Sequence, residues 1–380
     1  EILFFWIARM IMAGYEYRGK KPFENVYLTG IVRDSQRRKM SKSLGNSPDP
    51  LRLIDQYGAD GVRVGMLLCS PAGNDLLFEE SLIEQGRNFG NKIWNAFRLI
   101  KSWEVEEKEE QPLHSEEAIT WFEARLKKSI AELEKQYDKF KLSEALMNLY
   151  RLFWDDFASW YLEIVKPGFQ KSMDKKTFEA TVDFFERLMK LLHPFMPFIT
   201  EEIWHLIKER DEEDCIIVSE MPEKQNFDNK LVDSFEKVKE VITSIRSIRK
   251  EKDIPNKESL ELNFNGELNS ELNPVITKLA NISSINKVEG KMENTVSFMV
   301  RTTEFYIPLE GHVDTEEEIK KLEEELDYTK GFLNSVMKKL SNDKFVQNAP
   351  EKVVNMEKKK KEDAESKIKT LEERIESLKG

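Results

Sequence analysis

The hydrophobic positions of the first eighty residues change from a helical to an extended pattern. An apolar run over 2–14 predicts a buried helix, too short to cross a bilayer, and 25–32 predicts a β-strand. A polar, basic loop over 33–46 follows, and a helical pattern resumes through 54–68. Strand, loop and helix in this order are typical of α/β domains, in which the loops hold ligands.

The apolar spacing between residues 82 and 210 is helical throughout. Over 86–101 it places apolar side chains on one helix face: Phe89, Ile93, Trp94, Phe97 and Ile100. An acidic stretch over 104–117 predicts a solvated connection. Further helices are predicted at 117–138, 143–165, 175–193 and 197–209, with Ser143 as the N-cap of the second of these four. Helices with short connections predict a helical bundle.

A second mixed region follows the bundle. Residues 228–252 have a helical pattern, and after Pro255 the apolar period changes to two. Strands are therefore predicted at 260–264 and 295–300, and residues 304–309 complete a hairpin with the second of them. This region is expected to be a small α/β unit.

The last 65 or so residues carry a heptad pattern. Its apolar positions step by three and four residues without a break: Ile319, Leu322, Leu326, Thr329, Leu333, Val336 and Leu340. After an interruption at 341–350, the seam continues with Ala364, Ile368, Leu371, Ile375 and Leu378, while Glu357 and Lys361 occupy two core slots. The pattern predicts an antiparallel coiled-coil hairpin, and the whole chain is expected to be mainly α.

Composition limits the class of protein. The chain has 380 residues, 34% of them charged, and a net charge of −11, which argues against a purely electrostatic nucleic-acid binder unless positive charge is locally concentrated. The two cysteines, Cys69 and Cys215, are far apart, which excludes a disulfide framework and a cysteine-based zinc site. We therefore expect a cytoplasmic protein with no metal site.

Positive charge is concentrated in the predicted hairpin. Residues 338–361 contain eight lysines and three acids, a net charge of +5, whereas 316–330 have −4 and 362–380 have −2. The cluster includes Lys338, Lys339, Lys344 and Lys352. Such a segregated charge is equally compatible with contacts to nucleic-acid phosphates and with an ordinary solvated surface.

The loop over 33–46 is the strongest candidate for chemistry. Five cations lie within ten residues, beside two serines and Gly45. Cations and flexible backbone amides suit a polyphosphate ligand, although composition alone favours a solvated basic loop.

The order of the loop residues changes this balance. Residues 39–43 read Lys-Met-Ser-Lys-Ser, which resembles the signature of class I aminoacyl-tRNA synthetases. Residues 5–10, 57–60, 87–96, 160–163 and 192–204 also resemble the valyl, isoleucyl and leucyl branch. The isoleucyl enzymes commonly end in a cysteine-ligated zinc module, which two scattered cysteines cannot build, and the turn over 340–354 resembles the valyl arm. Isoleucyl or leucyl fragments, and a non-catalytic tRNA-binding coiled-coil module, remain as alternatives.

The resemblance implies four regions. Residues 1–80 would be the C-terminal part of a Rossmann-type class I catalytic domain, and 81–225 an anticodon-binding bundle. Residues 226–312 would form the small α/β unit, and 313–380 a coiled-coil tRNA-binding arm. The family's His-Ile-Gly-His motif is expected before Glu1, so the chain alone should bind tRNA without catalysis.

The resemblance also implies roles for residues. The activity would be ATP-dependent ligation of L-valine to its tRNA through valyl-adenylate, with Mg²⁺ accompanying ATP. Lys42 and Lys39 would bind the ATP phosphates and act in catalysis, while Met40, Ser41 and Ser43 would shape the nucleotide site. Candidate tRNA contacts in the bundle are Arg87, Asn91, Lys92, Asn95 and Arg98. His193 and His205 are expected to be structural, and the protein is expected to be a monomer that does not bind membranes.

Overall fold

A computed structural model describes residues 2–28, 30–70, 75–293, 295–308 and 315–341 of the chain. It also describes helical residues 355–358, 360–362, 364–365, 368, 371–372 and 375, and the side chains of 323–324 and 326–341 within the range 315–341. The described residues are mainly helical, with small sheets. They divide into two compact units, Glu1–Glu236 and Lys237–Gly380.

The first unit begins with an exposed apolar helix. A π-helical turn at Leu3–Ile7 continues into α1 (Ala8–Arg18), so the predicted helix exists and is longer than expected. Its predicted burial is wrong, because Phe4 is 80% exposed and only Ile7 is buried. The apolar pattern indicates that the helix favours burial, but no surface formed by the described residues packs over most of its apolar side chains.

The predicted strand over 25–32 is largely wrong. Only Val32–Arg33 (β1) is extended in a sheet, where it pairs in parallel with Leu76–Leu77 (β2). The described residues before β1 have no neighbouring strand, and β-propensity becomes a strand only where backbone partners exist. After the basic loop come α2 (Pro50–Tyr57) and α3 (Ala59–Leu68).

Helices occupy most of residues 80–207, the region in which the sequence predicts a bundle. Its helices are α4 (Glu80–Lys101), α5 (Leu113–Asp138), α6 (Leu142–Arg151), α7 (Leu162–Val165), α8 (Lys175–Leu192) and α9 (Pro197–Ile207). A π-helical stretch, Leu152–Tyr161, joins α6 to α7 without a break. Two short strands, β3 (Val105–Glu106) and β4 (Met173–Asp174), pair in parallel beside the helices.

Ser143 does not cap a helix, contrary to the sequence-based expectation. The helix α6 already begins at Leu142, and no side chain caps its N-terminus. Instead the Ser143 hydroxyl lies 2.8 Å from the carbonyl oxygen of Leu67 and 2.6 Å from that of Ser70. The serine thus satisfies backbone acceptors at the end of α3 and ties that helix to the bundle.

Aromatic side chains fill the bundle core. Phe122, Phe157 and Tyr161 are fully buried and lie within 5.5 Å of one another, measured between ring centroids. Burial raises the pKa of Tyr161, whose hydroxyl lies 2.8 Å from that of Thr181. The polar group is therefore paired inside an otherwise apolar core.

Glycines allow α3 and α4 to approach each other closely. A Cβ added at Gly86 would lie 2.4 Å from the carbonyl oxygen of Gly61, and one at Gly65 would lie 2.5 Å from the Cα of Ile83. Both distances are far below any van der Waals contact. Helix α3, the second helix after the basic loop, is therefore packed closely against α4, backbone to backbone.

The second unit contains a four-stranded sheet. Helix α10 (Asn229–Glu251) begins in the first unit and continues into the second. The sheet has the order β6-β5-β8-β7. Its strands are β5 (Leu260–Asn265), β6 (Ile282–Lys287), β7 (Thr295–Val300) and β8 (Thr303–Pro308). The structure has the strands and the hairpin expected from the sequence.

Two elements of this unit were missed. Helix α11 (Asn273–Ala280) connects β5 to the parallel strand β6. The helix is only eight residues long, and β6 buries one residue fully, so neither has a long apolar pattern. Short elements are defined by their partners more than by their own sequence.

The hairpin region contains α12 (Thr315–Leu340), the last helix for which the structure gives bounds. Lys330 pairs with Glu372 at 2.7 Å and Lys339 with Glu357 at 3.8 Å, while Leu326 packs against Leu371 and Ile375. Lys330 comes before Lys339 in α12, but its partner Glu372 comes after Glu357, the partner of Lys339. The two segments therefore run antiparallel. Thr329 and Val336 of the heptad pattern are buried.

Among the described residues, no helix is both long enough and apolar enough to span a membrane.

Candidate functional site

The basic loop is a hairpin built around one carboxylate. Backbone pairing of Arg33 with Lys39 closes the hairpin, and the Met40 amide donates to the Val32 carbonyl at 3.1 Å. Asp34 is buried at the centre, where it accepts hydrogen bonds from the backbone amides of Gln36 (3.0 Å) and Arg38 (2.9 Å). The Asp34 side chain therefore stabilises the hairpin by accepting hydrogen bonds from backbone amides of the loop.

Asn46 connects the middle of the Lys-Met-Ser-Lys-Ser segment to Asp34. Its amide nitrogen donates to Asp34 at 2.9 Å, and its oxygen accepts from the Ser41 amide at 2.9 Å. The Asn46 hydrogen bond, followed by those from Arg38, lowers the pKa of Asp34 from 3.8 to about 2. The carboxylate therefore stays ionised at neutral pH, and both of its oxygens remain available to accept these hydrogen bonds.

Lys42 begins a short turn in which the loop reverses. Ser41 caps this 3-10 turn, Lys42–Leu44, by accepting from the Leu44 amide at 3.3 Å, and its hydroxyl lies 3.1 Å from that of Ser43. Gly45 ends the turn with φ +62, a left-handed conformation that glycine adopts without strain.

The five cations of the loop have different environments. Arg33 pairs with Asp75, and Arg38 pairs with Asp34 at 2.8 Å, so two of the five are neutralised internally. Lys42 is exposed, and no carboxylate among the described residues pairs with it. The loop thus presents Lys42 to solvent on a backbone that is fixed by side-chain hydrogen bonds. Sequence alone did not distinguish these roles.

A cavity of about 520 Å³ adjoins the loop. Its lining includes Asp34, Met40 and Asn46, together with Glu79 and Glu80, but neither Lys39 nor Lys42. Its acidic side does not suit a polyphosphate. The cationic surface at Lys42 is therefore separate from this cavity.

The candidate tRNA contacts on α4 form a partly exposed surface. Asn91, Asn95 and Arg98 are exposed, at steps of four and three residues that place them on one helix face. Arg87 is half-buried and pairs with Glu84 at 3.3 Å, and Lys92 lies over the ring of Trp154 at 5.5 Å. Three of the five candidates are thus available to a ligand without breaking a contact.

The structure describes half of the lysines proposed for the arm. Lys338 and Lys339 are exposed on the last turn of α12, whereas Lys344 and Lys352 lie outside the described residues. Glu357, in a heptad core position, is buried between Lys339 and Lys360. The hydrogen bond from Lys360 and the charge of Lys339 lower the pKa of Glu357, so a carboxylate in the seam is stabilised by its own lysines.

His193 and His205 both contact other side chains of the first unit. His193 Nδ1 lies 2.8 Å from the hydroxyl of Thr200, and burial lowers the pKa of this histidine. His205 Nε2 lies 3.3 Å from a carboxylate oxygen of Glu201.

Sequence reasoning missed the residues that join the loop-bearing part to the bundle. Asp60 on α3 accepts hydrogen bonds from the amides of Phe198 (3.3 Å) and Ile199 (2.7 Å) at the start of α9. Arg63 donates to the carbonyls of Phe195 (3.1 Å) and Pro194 (3.0 Å). Asp60 and the segment 194–199 lie within the motifs noted in the sequence, but no pattern indicates that they contact each other.

Three known sequence families match the chain in order. "tRNA synthetases class I (I, L, M and V)" matches residues 1–79, and "Anticodon-binding domain of tRNA ligase" matches 120–264. "Valyl tRNA synthetase tRNA binding arm" matches 314–379. The third match distinguishes the valyl members from the rest of the branch. Over its whole length, the chain corresponds to a region of valyl-tRNA synthetases.

Individual relatives agree with this assignment. Valine–tRNA ligases from Parabacteroides distasonis and Christiangramia forsetii are 59% and 57% identical to the whole chain, and that from Fusobacterium nucleatum is 38% identical. The isoleucyl and leucyl alternatives are not favoured. The chain spans 43% of the length of the first two valyl-tRNA synthetase relatives. A solved LeuRS–tRNA–LeuAMS complex from Agrobacterium radiobacter K84 aligns at 21% identity over 60% of this chain and 27% of that one, with a TM-score of 0.43.

Proposed function

We propose that this chain supplies the phosphate-binding loop and the tRNA-binding surfaces of a valine–tRNA ligase. The ligase forms valyl-adenylate from ATP and L-valine and transfers the valine to its tRNA. The observation that carries the proposal is the fixed cationic loop in a chain whose relatives over its whole length are valine–tRNA ligases. ATP would enter with Mg²⁺.

Lys42 is the residue proposed to act on the ATP phosphates, with Lys39 beside it. As the β–γ phosphates leave, negative charge grows on their oxygens, and an ammonium group held nearby stabilises that charge. Among the described residues Lys42 has no carboxylate partner that it must abandon on binding. Met40, Ser41 and Ser43 would shape the loop beneath the nucleotide, and Asp34 and Asn46 hold that shape.

Two surfaces are proposed to bind tRNA. The α4 face with Asn91, Asn95 and Arg98 would approach the anticodon stem-loop, with Arg87 and Lys92 at its margin. The lysines Lys338, Lys339, Lys344 and Lys352 of the arm would contact phosphates. We propose the regions 1–80, 81–225, 226–312 and 313–380 as the corresponding functional parts, working as a monomer.

The 380-residue chain alone should not activate valine. Class I enzymes build the ATP site from two halves, and the family's His-Ile-Gly-His motif is not among these residues. Valine-dependent exchange of pyrophosphate into ATP by the purified chain is therefore expected to remain at background. Exchange above that of a Lys42→Ala control would show that the chain holds a complete site.

Replacing Lys338, Lys339, Lys344 and Lys352 with glutamate should weaken tRNA binding. Each lysine–phosphate contact releases counterions, so the slope of log K against log salt should become shallower by about 0.9 per lost duplex contact. The measurement is tRNA affinity of wild type and quadruple variant at several salt concentrations. In a control variant, Lys128 and Lys139 of the bundle are replaced with glutamate, which adds negative charge away from the arm. Equal affinity and equal slope in the arm variant would assign the lysines to a solvated stalk.

A further inference from the structure

Three side chains with metal-ligating atoms converge in the first unit, away from the basic loop. Glu201 and His205 lie one helical turn apart on α9, and Cys215 lies just before the 3-10 turn Ile216–Val218. One carboxylate oxygen, one imidazole nitrogen and the sulfur all lie within 4.8 Å of one another. We propose that Glu201, His205 and Cys215 form a binding site for a transition-metal ion such as Zn²⁺.

The chain holds Cys215 against α9 through both of its neighbours. Trp204 Nε1 donates to the carbonyl of Asp214 at 2.9 Å, and the Ile216 amide donates to Glu201 at 3.0 Å. The Ile216 side chain is also buried. The residues before and after the cysteine are thus fixed to the helix that carries the other two ligands, so the site is partly preorganised.

The spacing of the ligand atoms is close to that of a bound ion. In a tetrahedral site with bonds of about 2.0–2.3 Å, ligand atoms lie roughly 3.3–3.8 Å apart. His205 Nε2 and the Glu201 oxygen are already 3.3 Å apart, and no separation in the cluster exceeds 4.8 Å. The three side chains are half-buried, so small rotations of their bonds can close the remaining distance.

The donor set selects the class of metal. Thiolate and imidazole favour Zn²⁺ and Co²⁺, whereas Mg²⁺ and Ca²⁺ prefer oxygen ligands. On binding, the Cys215 thiol would lose its proton to solvent and its sulfur would donate a lone pair to the metal. A carboxylate has about four lone-pair positions, so Glu201 can keep its bond to the Ile216 amide. Water would fill the fourth position.

The surrounding charges do not oppose a cation. The nearest cationic side chains in sequence, Lys208 and Arg210, both pair with Glu186, and Arg210 also pairs with Asp214. The loop before Cys215 adds exposed acids at Glu212 and Glu213. A bound metal would cross-link the end of the bundle to the loop that follows it. A paired-cysteine spacing is the usual sequence signal of a zinc site, and a set of one glutamate, one histidine and one cysteine has no such spacing.

Titration of the reduced, metal-free chain with Co²⁺ tests the site. Wild type should develop a thiolate-to-cobalt charge-transfer absorption that saturates at one equivalent and disappears when Zn²⁺ is added. Cys215→Ser should abolish the absorption, and His205→Ala should lower Co²⁺ affinity more than about tenfold. Cys69→Ser is the matched control, because Cys69 is the other cysteine and is buried at the end of α3. It should bind like wild type.

A second pair of measurements separates ligation from folding. Glu201→Gln keeps an oxygen that can accept from the Ile216 amide, so its metal-free melting temperature should match wild type while its Co²⁺ affinity falls more than about tenfold. Zn²⁺ should raise the melting temperature of wild type but not of Cys215→Ser. Absence of the absorption in wild type, or its persistence in Cys215→Ser, would overturn the proposal. These outcomes are independent of tRNA binding and of valine activation.

Discussion

Gly86→Ala should destabilise the first unit strongly. The new Cβ would lie 2.4 Å from the carbonyl oxygen of Gly61 and 3.1 Å from its carbonyl carbon, so no flexible side chain can move aside. The helices α3 and α4 must then separate, which breaks the packing of Gly65 against Ile83. Overpacking of this kind costs typically 1–3 kcal/mol and occasionally more, and we expect about 3 kcal/mol or more here. Thermal unfolding of the chain measures it, with a decrease in melting temperature of roughly 6–12 °C.

Gly90→Ala is the matched control on the same helix. A Cβ at Gly90 would lie 3.6 Å from Met196 Cε and 3.8 Å from Ile199 Cδ1, which are ordinary contacts. Alanine is also the better helix former by up to about 1 kcal/mol, so this variant should be as stable as wild type or slightly more stable. Equal melting temperatures for both variants would refute the close packing of α3 on α4.

Lys42→Ala should lower the rate of valyl-adenylate formation about 10²–10³-fold, roughly 3–4 kcal/mol of transition-state stabilisation. The variant is made in a full-length valyl-tRNA synthetase that carries this chain. Valine binding should change little, because the lysine acts on phosphate oxygens whose charge grows only in the transition state. Single-turnover kinetics measure the rate of adenylate formation. Equilibrium binding measures the affinity for valine, which should change little.

Lys139→Ala is the control for the loss of one positive charge. Lys139 is exposed just after α5, and the variant should form adenylate at the wild-type rate. If Lys42→Ala also stays within a few-fold of wild type, Lys42 has no role in phosphate chemistry. A large and equal loss in both variants would instead point to non-specific electrostatics.

The long elements could be predicted from the sequence because their own patterns define them. In the apolar stripe of α4, Phe89, Ile93, Phe97 and Ile100 are buried and Trp94 is half-buried. The seam residues Thr329 and Val336 are also buried, as their spacing indicates. The first helix shows the limit of this reasoning, since the apolar side chains of α1 are exposed. Periodicity identifies which face of a helix is apolar, but it does not show which other surface packs against that face.

The candidate site was predicted only in part. The order of residues 39–43 located the loop, yet nothing in the sequence shows that Asp34 is its centre or that Arg33 and Arg38 are neutralised internally. Such roles depend on contacts between distant positions, as with Asp60 and the start of α9. Ser143 is a further example, because serine is a common N-cap residue but here its hydroxyl hydrogen-bonds to the carbonyl oxygens of Leu67 and Ser70.

Binding of tRNA by the 380-residue chain tests the central claim most directly. Affinity is measured for a valine-accepting tRNA and for a tRNA that accepts phenylalanine, at matched salt concentrations. The account predicts tighter binding of the valine-accepting tRNA, with an affinity that falls steeply as salt rises because phosphates are contacted. Equal affinity for the two tRNAs, or no binding of either, would contradict it.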